Sequence, residues 1–240
     1  MTDAPAAALT APTVSPPIPD LVNNILGGKQ YISPSYWLGW AMEKVCGVNP
    51  WEWISEQVAG DWNAAAEAGE ALKHLAEFNN RYAATITGGL HTLIPDQWDG
   101  HAAAQARAYF TELAGKLHDQ IEALNGMAGQ FNSLAAGMEE MAQALQSLCQ
   151  DLLDWLIAIG ISAAAAAASS WTIIGGLAGA AATAASIWEA IEVWYLILDA
   201  HDAAWAGVQA FTGLCAGYLG AIHGMDDLLL PSAAYDHPGV

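Results

Sequence analysis

The stretch IPDQWDGHAAA, residues 94–104, decides how the chain folds. Pro95 and Gly100 punctuate it as a break between two long segments of apolar periodicity. A tryptophan, Trp98, stands where loops normally carry small polar residues. A short turn between two helices packed lengthwise forces them antiparallel, so the two flanking segments settle the architecture.

Upstream, Asn49-Pro50-Trp51-Glu52 offers an N-cap, a first-turn proline and an acidic residue at the third helical position. From there Val58, Trp62, Ala65, Gly69, Leu72, Ala76, Asn79, Ala83, Ile86, Leu90 and Leu93 recur at steps of four and three. That is the seam of one helix packed along another, and Asn79 is its register-fixing polar member. Downstream the same steps carry Phe110, Leu113, Leu117, Ile121, Leu124, Ala128, Phe131, Leu134, Met138, Met141, Leu145, Leu148, Leu152 and Trp155. The reading is all-α, beginning with a long antiparallel helical hairpin. In its turn, Pro95 is expected to stop the first helix, and Asp96 or Asp99 to accept from the first N–H groups of the second. Gly100 turns the backbone at little steric cost, and Trp98 is expected to plug the open end over Leu90 and Leu93.

Working outward, five of the ten prolines fall in the first 20 residues, so residues 1–30 read as a disordered Pro/Ala-rich arm. Residues 31–154 read as the hairpin domain with a short leading helix from Ser33-Pro34 to Gly47. Residues 155–226 form an apolar Ala/Gly-rich helical region, and residues 227–240 a loose tail. No charged residue lies between Asp154 and Glu189, and this tract is bounded by Trp155 and Trp188. It is too long for one membrane span of about 20 residues. Its length suits a small-residue-rich helical hairpin bending near Ser169-Ser170 or Gly175-Gly176, with Gly175 and Gly179 permitting close contact. Neither flank carries Lys or Arg, so the usual membrane-orientation signal is missing. Further C-terminal helices follow, beginning with IWEAIEVWYLILDAHDAAW.

At 240 residues the chain can bury a sizeable core. It is 54% hydrophobic, with six Lys plus Arg against 25 Asp plus Glu and a formal charge of −19. All six basic residues lie in the first half, and nothing beyond Lys116 is basic. Such a balance argues against a nucleic-acid partner, which needs a basic face. Cys46, Cys149 and Cys215 are scattered, with no CxxC pair or metal spacing, and read as small buried hydrophobes. The seven histidines form no HxxxH or HExxH pattern; His118-Asp119 and His201-Asp202 are sequence neighbours, which on a helix point apart. GGLAGAAA lacks the lysine and preceding strand of a phosphate loop. No catalytic residue, metal site or cofactor is therefore assigned, and the chain reads as a non-enzyme. The N-terminus lacks a basic region followed by an apolar run, so a common signal peptide is not expected.

Trp98-Asp99-Gly100 between two amphipathic helices resembles the WXG family of helical-hairpin substrates of type VII (ESX) secretion in actinobacteria and related bacteria. The resemblance spans roughly residues 49–155, with Trp98 and Gly100 as the two defining positions. Trp37-Leu38-Gly39 and Trp205-Ala206-Gly207 also spell W-x-G, but only the Trp98 copy has a helix on either side. NPWEWISEQVAGDW and the Ala/Gly-rich region are similar to longer actinobacterial members. The resemblance implies a YxxxD or YxxxE export signal read by the secretion ATPase, matched here by Tyr195 and Asp199, whose spacing shares a helical face.

It also implies pairing with a related helical hairpin or a second copy, for a secretion substrate or targeting partner of a co-secreted effector such as a toxin. Export would then take a signal-peptide-independent route to the cell surface or medium. Trp51, Trp53, Phe78 and Tyr82 lie off the main seam and are the candidate partner surface. The alternative reading is a membrane-active effector whose tract between Trp155 and Trp188 inserts as low pH neutralises the carboxylates.

Overall fold

The computed structural model describes residues 4–15, 17–21, 41–43, 45–168 and 173–223. Among them every regular element is helical: a 3-10 turn Pro5–Ala8, α1 (Pro50–Gln57), α2 (Trp62–Gln97), α3 (His101–Ala168) and α4 (Ile173–His223). The predicted start of a leading helix at Ser33-Pro34 lies outside the described residues. Residues 41–43 and 45 are helical, and Gly47 takes the left-handed φ of 68° suited to a residue just past a helix end.

The cap at α1 is as the sequence predicts. Asn49 Oδ1 accepts from the backbone N–H of Trp51 at 3.2 Å and of Glu52 at 3.4 Å, with Pro50 in the first turn. The continuous helix expected from there is corrected, because α1 stops at Gln57 and α2 starts at Trp62. In the gap, a Cβ on Gly60 would lie 2.9 Å from the Trp62 ring, so any larger residue there would have to displace the ring. The Trp62 indole donates to the Val58 carbonyl at 3.1 Å, giving a partner to a carbonyl that the ended helix leaves free. Nor does Pro95 stop α2, which runs on to Gln97. Proline's fixed φ suits a helix; its cost falls on the preceding turn, where the carbonyl four residues back loses its N–H partner and is crowded by the ring, and the helix continues only two residues past it.

Contacts divide the described chain into two units. The first holds α2, α3 up to Ala135 and α4 from Gln209. Here α2 and α3 run in opposite directions. Gly69 lies against Ala128 and Asn132, Asn79 Nδ2 donates to Gln120 Oε1 at 3.0 Å, and Ile86 and Leu90 face the same space as Ala106. Asn79 is the buried polar residue of the described core, satisfied across the seam. Within this unit α4 lies along α3 with Phe131 and Phe211 edge-on at 5.0 Å and Tyr218 over Gly126.

The second unit holds α1, α3 from Ala136 and α4 up to Val208. Its core joins Trp51 and Ile54 to Met138, Ala142, Leu145, Cys149, Leu152, Leu156 and Ile159 of α3 and to Ala190, Trp194 and Ile197 of α4. Ser162 and Thr183 hydrogen-bond at 3.1 Å between the two long helices. The α3 seam departs from the predicted one at several positions, beginning with Phe110, which is 37% exposed. Ala135, Cys149 and Leu156 are buried where Leu134, Leu148 and Trp155 were expected, and those three are half-buried. The burying stripe is wider than a two-helix seam because α3 packs against more than one element.

The small-residue tract does form two helical arms, one ending at Ala168 and one starting at Ile173, joined by the Ser162–Thr183 hydrogen bond; what is corrected is its separateness from the long hairpin and the bend at Gly175-Gly176. The second helix passes unbroken through residues 154 and 155 to Ala168, and Gly175 and Gly176 lie inside α4. Ser169 and Ser170, the other expected bend, lie outside the described residues.

Candidate functional site

The turn is built from three residues. Asp99 Oδ1 accepts from the Gly100 N–H at 2.6 Å, and Gly100 takes a φ of 95°, where an L side chain is strained. The Gly100 carbonyl accepts from Ala104 at 3.1 Å, the first α-helical bond of α3. The aspartate thus satisfies a donor one residue ahead of the helix rather than inside it. The side chains of Asp96 and Leu93 lie outside the described set.

Trp98 is 41% exposed. With Thr85, Ile86, Gly89, Leu90, Ala106 and Phe110 it surrounds a cavity of about 230 Å³. The expected plug is corrected accordingly: the ring walls a cavity instead of filling it. The lining is apolar, and the Thr85 hydroxyl already donates to the Arg81 carbonyl at 2.8 Å.

Tyr195 and Asp199 are both exposed on α4, Tyr195 at 60%, with Leu196 and Trp188 exposed nearby. The four candidate partner residues separate. Trp51 is 2% exposed and so offers no partner surface, a correction to the sequence reading. Trp53 is half-buried, edge-on to Trp194 at 5.5 Å and 5.1 Å from the His201 ring. Both tryptophans hold α1 within the second unit. Phe78 and Tyr82 stack at 5.7 Å on α2, Tyr82 at 40% exposure.

His201 has Nε2 3.1 Å from Gln57 Oε1 and, contrary to the expectation for helical neighbours, Nδ1 3.1 Å from Asp202 Oδ1. Asp202 is largely in solvent, so the pair ties α1 to α4 rather than lining a cleft. The cysteines are free thiols. Burial pushes Cys46 and Cys149 up to about 12 and raises Cys215, which keeps them from forming nucleophilic thiolates. Among the described residues no group of three or more His, Cys, Asp or Glu could hold a metal.

Sequence reasoning picked out Phe78 and Tyr82 but missed the Trp98 cavity and the stripe that leads to it through Leu75, Phe78, Tyr82, Thr85 and Gly89, again at steps of three and four. The signal was present but masked, since the stronger inner seam of the same helix uses the neighbouring positions. No family model, no curated protein and no solved structure matches this chain.

Proposed function

We propose that this chain is a non-enzymatic substrate or targeting partner of a type VII (ESX) secretion system, of the WXG kind, acting by helix–helix pairing. The observation that carries the reading is Trp98-Asp99-Gly100 between two long opposed helices, with Gly100 in the left-handed region and Trp98 partly exposed. Tyr195 and Asp199 add support, standing exposed four residues apart where a receptor can read ring and carboxylate together. The partners are the secretion ATPase, a related hairpin or second copy, and a co-secreted effector; the destination is the cell surface or medium. Deleting the secretion ATPase should remove the protein from culture supernatant, and unchanged export sinks the proposal. Trp98→Ala should cost about 1 kcal/mol, since the ring is only partly buried. Export lost with helicity intact makes Trp98 a recognition feature.

A second reading has its own observation. Trp188, Leu196, Trp205, Leu214 and Leu219 are each about half exposed or more on α4, together with Ile157 and Ile161 on α3. Among the described residues His101–Ala163 is long and apolar enough to cross a membrane, with 28% of its most apolar window buried. A membrane-active effector would release dye from liposomes, more so under acid; no association at acid or neutral pH removes this reading.

A further inference from the structure

The Trp98 cavity reaches from the surface into the seam between α2 and α3. Its back wall is Ala106, 3% exposed, beside Ile86 and Leu90 of the predicted α2 seam. Further along, α3 buries Leu124 and Met127, but near its start it buries only Ala103 and Ala106. On the other helix Gly89 stands at the wall. Small residues on both helices therefore make the hollow. Local structure does not call for them, since a Cβ on Gly89 would meet nothing within 4 Å and alanine would serve the helix better. Interiors pack so closely that hollows larger than a water are few, which sets one of about 230 Å³ apart.

The lining restricts what can enter. It carries no charged residue, and the Thr85 hydroxyl donates to the Arg81 carbonyl at 2.8 Å. A buried water needs about 2–4 polar partners, which these walls do not supply. A charged group would lose its hydration and gain no partner in return. Two of the walls are rings, Trp98 from the turn and Phe110 from α3, and rings favour an aromatic guest held edge-on or offset. Size sets the remainder. Roughly 150 Å³ accommodates benzene, so about 230 Å³ takes one substituted ring or two fused rings. Walls from α2, the turn and α3 close around a compact free molecule. A partner's side chain, by contrast, would have to carry its backbone up against the Trp98 and Phe110 rings to reach Ala106.

We propose that this hollow is a binding site for a small uncharged aromatic molecule, held between Trp98 and Phe110 against Ala106. The site lies within one unit of the chain and needs no partner protein, so it stands apart from the secretion reading.

Toluene added to the full chain is the probe. One molecule should bind per chain with a Kd on the order of 0.1–1 mM, the range open to so small a ligand. Nuclear Overhauser contacts should run from the toluene ring to the methyls of Ile86, Leu90 and Ala106, and the thermal midpoint should rise with occupancy. Gly89→Leu fills the hollow while favouring the helix, so it should weaken binding about tenfold or more with circular dichroism unchanged. Trp98→Leu keeps an apolar wall but removes a ring, and should weaken binding about fivefold. Benzoate, the same ring bearing a charge, should bind at least about tenfold more weakly than toluene. Absence of saturable binding overturns the proposal, as does toluene binding that Gly89→Leu leaves unchanged. Equal affinity in Trp98→Leu, or benzoate bound as well as toluene, overturns the assignment of an uncharged aromatic. Toluene affinity that falls as protein concentration rises would give the hollow to a second copy, and that too overturns it.

Discussion

Gly100 holds the turn at a φ of 95°, a conformation that costs an L residue about 1–2 kcal/mol. Nothing lies within 4 Å of a Cβ placed there, so Gly100→Ala isolates backbone strain from crowding. Its unfolding free energy should fall by that amount with helicity kept, and an unchanged value would mean the turn relaxes elsewhere. Cys149 responds to pH instead. In the unfolded chain its thiol ionises near 9.0, and burial in the fold pushes it up to about 12. Between those values the unfolded chain sheds a proton that the folded chain keeps. Stability therefore falls as pH rises above 9.0, by at most about 1.4 kcal/mol per pH unit, and nothing is lost below. Cys149→Ala leaves a cavity, a cost that does not depend on pH. The gap between the two proteins should narrow through this alkaline window in urea titrations, and a constant gap counts against a buried neutral thiol.

Within the elements, glycines divide by what surrounds them. A Cβ on Gly69 would come 2.7 Å from Asn132 Oδ1 and 3.1 Å from the Ala128 carbonyl, where α2 and α3 approach closely. Gly69→Ala should destabilise by about 1–3 kcal/mol, the cost of overpacking. Gly115, Gly129 and Gly137 on α3 face open space, so alanine there should add about 0.5–1 kcal/mol apiece through helix propensity. Thermal melts of the four variants should move in these opposite directions; uniform shifts would mean the crossing is not at Gly69. The same elements show what was legible in the sequence. The Asn49 cap, buried Asn79 and the Gly100 turn are local signals, and each was readable from a few residues. The gap at Gly60 was not, because Val58 and Trp62 keep seam spacing across it. On α4 the least exposed positions run Ala190, Trp194, Ile197, His201, Ala204, Val208, Phe211, Cys215, Tyr218 and Ile222, an unbroken four-three series. It was obscured because apolar residues occupy the outer face as well, so periodicity had no contrast. The Trp98 cavity depends on where two helices diverge, which no single segment encodes.

For the whole molecule, charge opposes the compact state. Beyond Lys116 there are thirteen Asp and Glu and no Lys or Arg. Glu189 with Glu192 and Asp199 with Asp202 sit three apart on one helix, each a repulsive pair of about 0.3–0.5 kcal/mol. The attractive side is small. Lys73–Glu70, Arg81–Glu77 and Lys116–Glu112 are surface pairs at helical spacing, together worth about 1 kcal/mol. The repulsive pairs on α4 already match that, and further acids on α3 tip the balance, each like pair costing roughly 0.4 kcal/mol even at 10 Å in water. Salt shortens the reach of both, to about 10 Å at 0.1 M, and so removes more repulsion than attraction. The thermal midpoint should rise as sodium chloride is added at neutral pH. A falling midpoint would mean that the few basic residues stabilise the fold beyond their pairwise worth, and would place the dominant charge interactions on α2 and the first half of α3, where all the described bases lie.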